Sequence, residues 1–395
     1  MTPSARVQAA IDILDAVIAA ARGQGASADR ITAEWFRARR FVGSKDRRAI
    51  RELAWRAIRA CGEIPESGRA AMLRVGQSDP AIAALFDGST YGPAPIRAGE
   101  TLAQGGIAPE WLVQRMVASG IDEQEQSALL GRAPLDLRAN ILKTTRDDLR
   151  ARLPVDALNV PAPHGLRLPA GTAAETWPEF VDGLFEVQDA GSQLACMALD
   201  VQPGEAVVDL CAGGGGKTLA LGAAMAGQGA LLACDIDRGR LQRLPDRATR
   251  AGVVAETRLL NPGREVEMLT DWEGKADAVM VDAPCSGTGT WRRNPEARWR
   301  LDPRAIERYC AMQANVLDIG ARLVRPGGRL TYVVCSLLDA EGADRIDAFL
   351  AVNPSWELAT PALPAGRSRG KGWRLTPFHD GTDGFFFATI VSRVN

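Results

Sequence analysis

Two cysteines open the reading, in "VDAPCSGTGTWRRNPE" (281–296) and "TYVVCSLLD" (331–339). In each, an apolar run ends on a cysteine, Cys285 or Cys335, and the first run also ends on Asp282. Only two histidines exist, His164 and His379, so proton transfer falls to carboxylates, thiols or lysines. Two thiols and a carboxylate suit an attack on a pyrimidine. Carbon 5 of cytosine is a poor nucleophile until a thiolate adds at carbon 6 and turns the ring into an enamine. A carboxylate such as Asp282 can stabilise the protonated ring nitrogen 3, and a second thiol can assist the elimination that follows. The competing reading of either cysteine is a small apolar core residue.

A third stretch, "LCAGGGGKT" (210–218), resembles a phosphate loop but has Cys211 where the first glycine of G-x-x-x-x-G-K-[ST] belongs. Gly213, Gly214, Gly215 and Gly216 would let backbone amides approach a ligand closely. Asp235 follows at the end of the next apolar run, where an acid commonly accepts ribose hydroxyls. Loop and acid together favour an adenosine-containing cofactor without a triphosphate, either a dinucleotide or S-adenosylmethionine. The alternative for Lys217 is a solvated lysine in the first turn of a helix.

These residues need strand ends to hold them. From about residue 190, strand and helix patterns alternate: "EAVVDL", "LALGAAM", "GALLACDID", "RGRLQRLPDRATRAG", "VVAETRLL", "ADAVMVDAP", "GGRLTYVVCS". That predicts a doubly wound parallel α/β sheet, closed by an antiparallel strand in "GFFFATIVSRV". In the usual order the two cysteine strands are neighbours, about 4.8 Å apart. Residues 1–130 read as helical: Val7, Ile11, Leu14 and Ile18 fall at helical spacing, and Ser44 is a candidate N-cap for the helix carrying Ile50, Leu53 and Ala57. Residues 131–190 read as a small α+β connector, leaving 191–395 as the catalytic domain.

The chain has 395 residues, is 46% hydrophobic and carries net charge −1, which excludes a uniformly basic polyanion binder. The charge is uneven, however. Residues 1–60 hold twelve Lys/Arg against six Asp/Glu, a local excess of six. Arg292, Arg293, Arg298, Arg300, Arg304 and Arg308 form a second cluster, and Arg367, Arg369, Lys371 and Arg374 a third. Such patches can grip phosphates, and Trp291 and Trp299 can stack on unpaired bases or pack in a core. Seven scattered cysteines with no C-x-x-C predict neither a metal site nor a disulfide framework. No apolar run reads as a membrane span or a signal peptide, so a cytoplasmic protein is expected.

The motifs together resemble the Sun/RsmB (Fmu) family of RNA cytosine-5 methyltransferases. "DLCAGGGGKT" is similar to its cofactor loop, "ACDID" to its ribose strand, and "DAPCSGTGTWRRNPE" and "YVVCSLLDAEG" to its two cysteine motifs. "HDGTDGFFFA" is similar to its closing strand, "FEVQDAGSQLA" to its lead-in, and "RFVGSKDRRAIRELAWRAIR" to its NusB-like helical domain. The resemblance implies a Rossmann-like domain binding S-adenosylmethionine through Cys211, Ala212, Gly213, Gly214, Gly215, Gly216, Lys217 and Asp235. It implies Cys335 as nucleophile, Cys285 as the release cysteine, and Asp282 on the target base and the cofactor. RNA, ribosomal in the first instance, is the expected partner, with no metal, no membrane and a monomeric chain. Asn261 stands where the family usually has an adenine-contacting Asp. Gly342 stands where it usually has an Asn after Glu341. A transfer-RNA methyltransferase, a DNA cytosine methyltransferase using Cys285, a P-loop NTPase and a non-catalytic RNA-binding factor are the rival readings.

Overall fold

The computed structural model describes residues 1–23 and 25–394. Gln24 and Asn395, within the expected 1–130 and 191–395 domains, lie outside the described residues. The chain divides into two compact units, Met1–Arg132 with Thr290–Asp302, and Ala133–Gly289 with Pro303 onward.

The first unit is helical. Helix Pro3–Arg22 is capped by the Thr2 hydroxyl, which accepts from the Ala5 N–H. Its apolar face of Val7, Ile11, Leu14 and Ile18 is buried with Ile50, Ala54, Ala57 and Ile58 of helix Ser44–Ala60 and Met72 of helix Gly68–Ser78. Gly68 lets two helices touch: a β-carbon there would stand 2.3 Å from the Ile11 carbonyl oxygen. The expected cap at Ser44 is corrected. Gly43 is the N-cap, with no side-chain bond, and Ser44 is the first helical residue.

Thr290–Asp302 belongs to this helical core: of the two readings of its tryptophans core packing holds, and the expectation that Arg292 and Arg298 grip phosphates is corrected. Trp291 and Trp299 are buried, as are Arg292 and Arg298. Arg298 donates to the carbonyls of Ile58 (2.7 Å) and Cys61 (2.9 Å), and the Trp299 indole N–H donates to Cys61 (3.1 Å). These carbonyls lie at the end of helix Ser44–Ala60, where Ile58 also accepts the Cys61 N–H (3.3 Å). Glu296 accepts the Ala28 N–H (2.9 Å) at the start of helix Ala28–Ala38. The segment therefore caps two helices from inside the unit.

The second unit holds two sheets. The smaller has strands β1 (Leu135–Ala139), β2 (Leu158–Asn159), β3 (Gly165–Leu168) and β4 (Phe185–Val187) in antiparallel order β2-β3-β1-β4. Its core is Leu137, Leu149, Leu166 and Phe185. The larger has β5 (Ala206–Leu210), β6 (Ala230–Asp235), β7 (Glu256–Leu259), β8 (Ala276–Asp282), β9 (Val324–Val334), β10 (Trp356–Ala359), β11 (Arg367–Arg369), β12 (Gly372–Leu375) and β13 (Phe385–Ser392). Its order is β11-β12-β13-β9-β8-β5-β6-β7, with β10 on β13. Strands β5 to β9 run parallel and β13 lies antiparallel to β9, the doubly wound arrangement the pattern predicts. The chain runs outward from β5 through β6 to β7, then restarts at β8 on the other side. Ligands of such sheets bind at the carboxyl ends beside that switch.

The single helix expected in "RGRLQRLPDRATRAG" is two, Arg238–Leu241 and Leu244–Ala251. Pro245 lacks the N–H a helix interior needs, so a new first turn begins around it. The third basic cluster is also partly internal. Arg374 is buried, and Arg369 and Arg374 both pair with Asp339. Among the described residues no helix is long and apolar enough to cross a membrane.

Candidate active site

Every expected site residue of the second unit lies at or just past the carboxyl end of a parallel strand. Past β5, Cys211 takes a left-handed backbone (φ 72°), a conformation that strains a side chain with a β-carbon. The P-loop comparison is thus half right in shape, since a glycine-like backbone is demanded where cysteine stands. Gly213 (φ 57°) and Gly215 (φ 83°) continue the turn into helix Gly216–Ala224. A β-carbon on Gly215 would meet Leu244 at 2.2 Å, whereas one on Gly213 or Gly216 would project into open space. Asp235, at the end of β6, is buried and braces this loop. Its carboxylate accepts the Gly213 N–H and the Asp237 N–H, both at 2.7 Å. Asn261, two residues past β7, is exposed.

The thiol of Cys211 is pushed well up by burial and by the carboxylates of Asp235, Asp282 and Asp209 around it. A raised thiol is a poor nucleophile, which sets Cys211 apart from a reactive cysteine. Lys217 is not the solvated lysine that was the alternative. Its ammonium lies 2.7 Å from Asp282 and 5.8 Å from the centre of the Phe385 ring. Burial would lower its pKa, but the Asp282 charge outweighs that and holds it raised. The pair ties the glycine loop to the end of β8.

Beneath the loop, Asp209 is fully buried on β5, with one oxygen bonded by the Thr218 hydroxyl (2.6 Å). Its other oxygen has no partner. Burial pushes its pKa up to about 7. A raised carboxyl keeps its proton in the native protein while the unfolded chain releases it, so stability falls as pH rises from about 4 to about 7. We expect Asp209→Asn to flatten that fall, which is worth up to about 4 kcal/mol across the window. Urea unfolding at pH 4, 5.5 and 7 reads it; a slope equal to that of the parent protein would contradict the assignment.

The two cysteines converge. Strand β8 pairs with β9 in parallel, and the Cys285 and Cys335 sulfurs are 3.4 Å apart. The Cys335 carbonyl accepts the Gly289 N–H (3.0 Å), which closes the Cys285 loop onto it. The hydrogen bond to Cys335, then burial, raises the Cys285 thiol well above its ordinary value. Either sulfur can be the donor of the contact between them. Asp282 lies three residues before Cys285, a third exposed and with one oxygen on Lys217. A separate cavity of about 180 Å³, lined by Arg138, His164, Gln193 and Cys196 among others, contains none of these groups.

A family model described as 16S rRNA methyltransferase RsmB/F matches residues 196–391. Ribosomal RNA small subunit methyltransferase B of Klebsiella pneumoniae subsp. pneumoniae is 35% identical over 297 residues, covering 73% of this chain and 67% of that protein. The chain belongs to the RsmB/F methyltransferase family. The protein of the same description from Shewanella oneidensis is 34% identical over 295 residues, covering 73% of this chain and 67% of its own. Among solved structures, PH0851 superposes with TM-score 0.75 at 25% identity over 99% of either chain. A methyltransferase homolog from Pyrococcus horikoshii gives 0.59 at 27%, over 72% of this chain and 99% of its own.

In this RsmB/F member the stretch matched by the family model holds Cys211, Lys217, Asp235, Asn261, Asp282, Cys285 and Cys335. Its departure at Gly342 has a steric cause. A β-carbon there would lie 2.8 Å from the Phe386 ring, so no larger residue fits. Glu341, noted in the sequence without a role, is fully buried between the two cysteine loops. Ser336 is five residues away, but Gln313 and Ser286 are 28 and 55 residues away, beyond any local spacing rule.

Proposed function

We propose that this chain methylates carbon 5 of a cytosine in ribosomal RNA, using S-adenosylmethionine and a covalent adduct between Cys335 and carbon 6. The observation that carries the reading is the 3.4 Å sulfur pair beside Asp282, next to a glycine loop shaped for a nucleoside. The residues fit the cofactor. Gly213 and Gly216 leave open space where a β-carbon would stand, and Asp235 retains lone pairs for ribose hydroxyls. Asn261, exposed two residues past β7, would accept from the adenine amine through its side-chain carbonyl. When bound, S-adenosylmethionine supplies an electrophilic methyl group for carbon 5.

The side chains do the rest. The Cys335 thiolate bonds to carbon 6, and the displaced ring electrons reach nitrogen 3, whose proton Asp282 holds through the oxygen not engaged by Lys217. Once the Cys335 sulfur is committed to carbon, it no longer shares a proton with the Cys285 sulfur 3.4 Å away. Cys285, having released its thiol proton to solvent, takes the proton from carbon 5 as thiolate; the electrons of that bond form the carbon 5–carbon 6 double bond, the carbon–sulfur bond breaks, and Cys335 leaves as thiolate. A monomer acting in the cytoplasm suffices, because both sulfurs and the loop come from one chain.

The names of the relatives favour ribosomal over transfer RNA as the substrate. Incubation of the protein with methyl-labelled S-adenosylmethionine and either small-subunit ribosomal RNA or transfer RNA tests the reading. Nuclease digestion should recover the label as 5-methylcytidine from the ribosomal RNA. Label in another nucleoside, or in transfer RNA alone, would overturn it.

A further inference from the structure

We propose that Glu341 is the positioning residue that holds the two sulfurs within reach of one base; its part in methyl transfer rests on the reading above, but its effect on sulfur geometry does not. Glu341 ends the short turn Asp339–Glu341 after β9 and is fully buried. One carboxylate oxygen accepts the Ser286 N–H (2.8 Å) and the Gln313 side-chain amide (3.0 Å). The other accepts the Ser286 hydroxyl and the Ser336 hydroxyl (2.6 Å). Ser286 follows Cys285 and Ser336 follows Cys335, so one side chain is bonded to the neighbour of each reactive sulfur.

The sheet cannot do this alone. The ladder between β8 and β9 continues only to the Ala283 N–H, which donates to Val333 (2.9 Å). Cys285 lies two residues beyond it, in a loop without sheet pairing. Gln313 extends the brace, since the amide that donates to Glu341 also donates to the Pro284 carbonyl (3.0 Å). The Tyr332 hydroxyl donates to the Glu341 carbonyl (2.6 Å) and fixes the turn itself. A buried carboxylate is expensive unless its oxygens are satisfied, and here four donors satisfy them. All those donors come from the cysteine loops and the helix beside them, which is the pattern of a clamp.

The test measures closeness of the sulfurs without RNA. Oxidised glutathione converts two nearby thiols into a disulfide and is itself reduced to two glutathione thiols; peptide mapping by mass follows formation of the Cys285–Cys335 link. Glu341→Ala should close about tenfold more slowly than the parent, because the loops lose the carboxylate beside the two sulfurs and stay joined only farther along, through Gly289 to Cys335 and Leu337 to Thr288, and kcat should fall by about tenfold to a hundredfold at unchanged KM for RNA. Glu341→Gln should close within about threefold of the parent. Its carbonyl keeps the first two bonds, and its amide can donate to hydroxyls that turn round to accept. A folded Glu341→Ala variant that closes at the parent rate overturns the proposal. Should thermal unfolding show that variant to be unfolded, Ser286→Ala/Ser336→Ala decides instead: slowed closure supports the clamp, and parental closure overturns it. A Cys335→Ala protein that still transferred methyl groups would defeat the proposed function while leaving the closure result intact.

Discussion

Cys335→Ala is expected to lose methyl transfer by roughly 10³-fold or more, while Cys285→Ala is expected to trap RNA on the enzyme. Removing the nucleophile leaves carbon 5 unactivated, and nothing else at the site can replace it. Cys211 takes part in no step, since burial and three carboxylates keep its thiol protonated. Removing Cys285 leaves addition and methylation possible but takes away the base for carbon 5, so the Cys335–carbon 6 bond persists. Gel electrophoresis in detergent should show a protein–RNA band for Cys285→Ala and none for Cys335→Ala. Both cysteines are partly buried small residues, so either substitution should leave the fold standing, as a melting curve can check. The rival in which Cys285 attacks leaves Cys335 idle, so it predicts an inactive Cys285→Ala protein with no trapped band and full activity in Cys335→Ala. Full activity in Cys335→Ala would exclude the assignment outright.

The site was legible to the extent that it sits on strand ends. Apolar runs of strand length ending in Leu210, Asp235, Asp282 and Val334 place Cys211, Asp235, Asp282 and Cys335 at one edge of the sheet before any coordinates are seen. What pattern reading missed depends on contacts between distant residues. By sequence Arg298 reads as a phosphate contact, and Trp299 allows either stacking or core packing, because charge beside aromatics usually means a solvated face. Only folding brings the helix-end carbonyls of Ile58 and Cys61 to them, 240 and 238 residues away in sequence for Arg298–Ile58 and Trp299–Cys61. Edge strands such as Arg367–Arg369 have no apolar alternation, since one face needs no cover, and so β11 gave no signal. The glycine at 342 looked like a defect because its reason, the Phe386 ring, lies on another strand. Glu341 likewise acquires meaning from Ser286 and Gln313, neither of which is special by type or spacing.

Asp282→Asn should lower kcat by about 10²- to 10³-fold, the usual worth of a positioned acid–base group. The asparagine keeps the shape of the carboxylate but gives nitrogen 3 an uncharged partner. It also strands Lys217, whose side chain is only 11% exposed and lies 2.7 Å from the carboxylate it would lose. An unpaired, mostly buried ammonium costs stability, here less than in a closed core because Asp282 is 32% exposed. Two effects are therefore mixed in the single variant, and a second substitution separates them. Lys217→Met removes the stranded charge and keeps the packing against Phe385, so Lys217→Met/Asp282→Asn should recover about 1 kcal/mol or more of the stability lost by Asp282→Asn. Its kcat should remain at least about 100-fold down, because the group on the base is still missing. Unfolding midpoints and initial rates on the same four proteins, parent included, supply the cycle. If activity returned with stability in the double variant, Asp282 would be nothing more than the counter-ion of Lys217, and the proton on nitrogen 3 would need another holder.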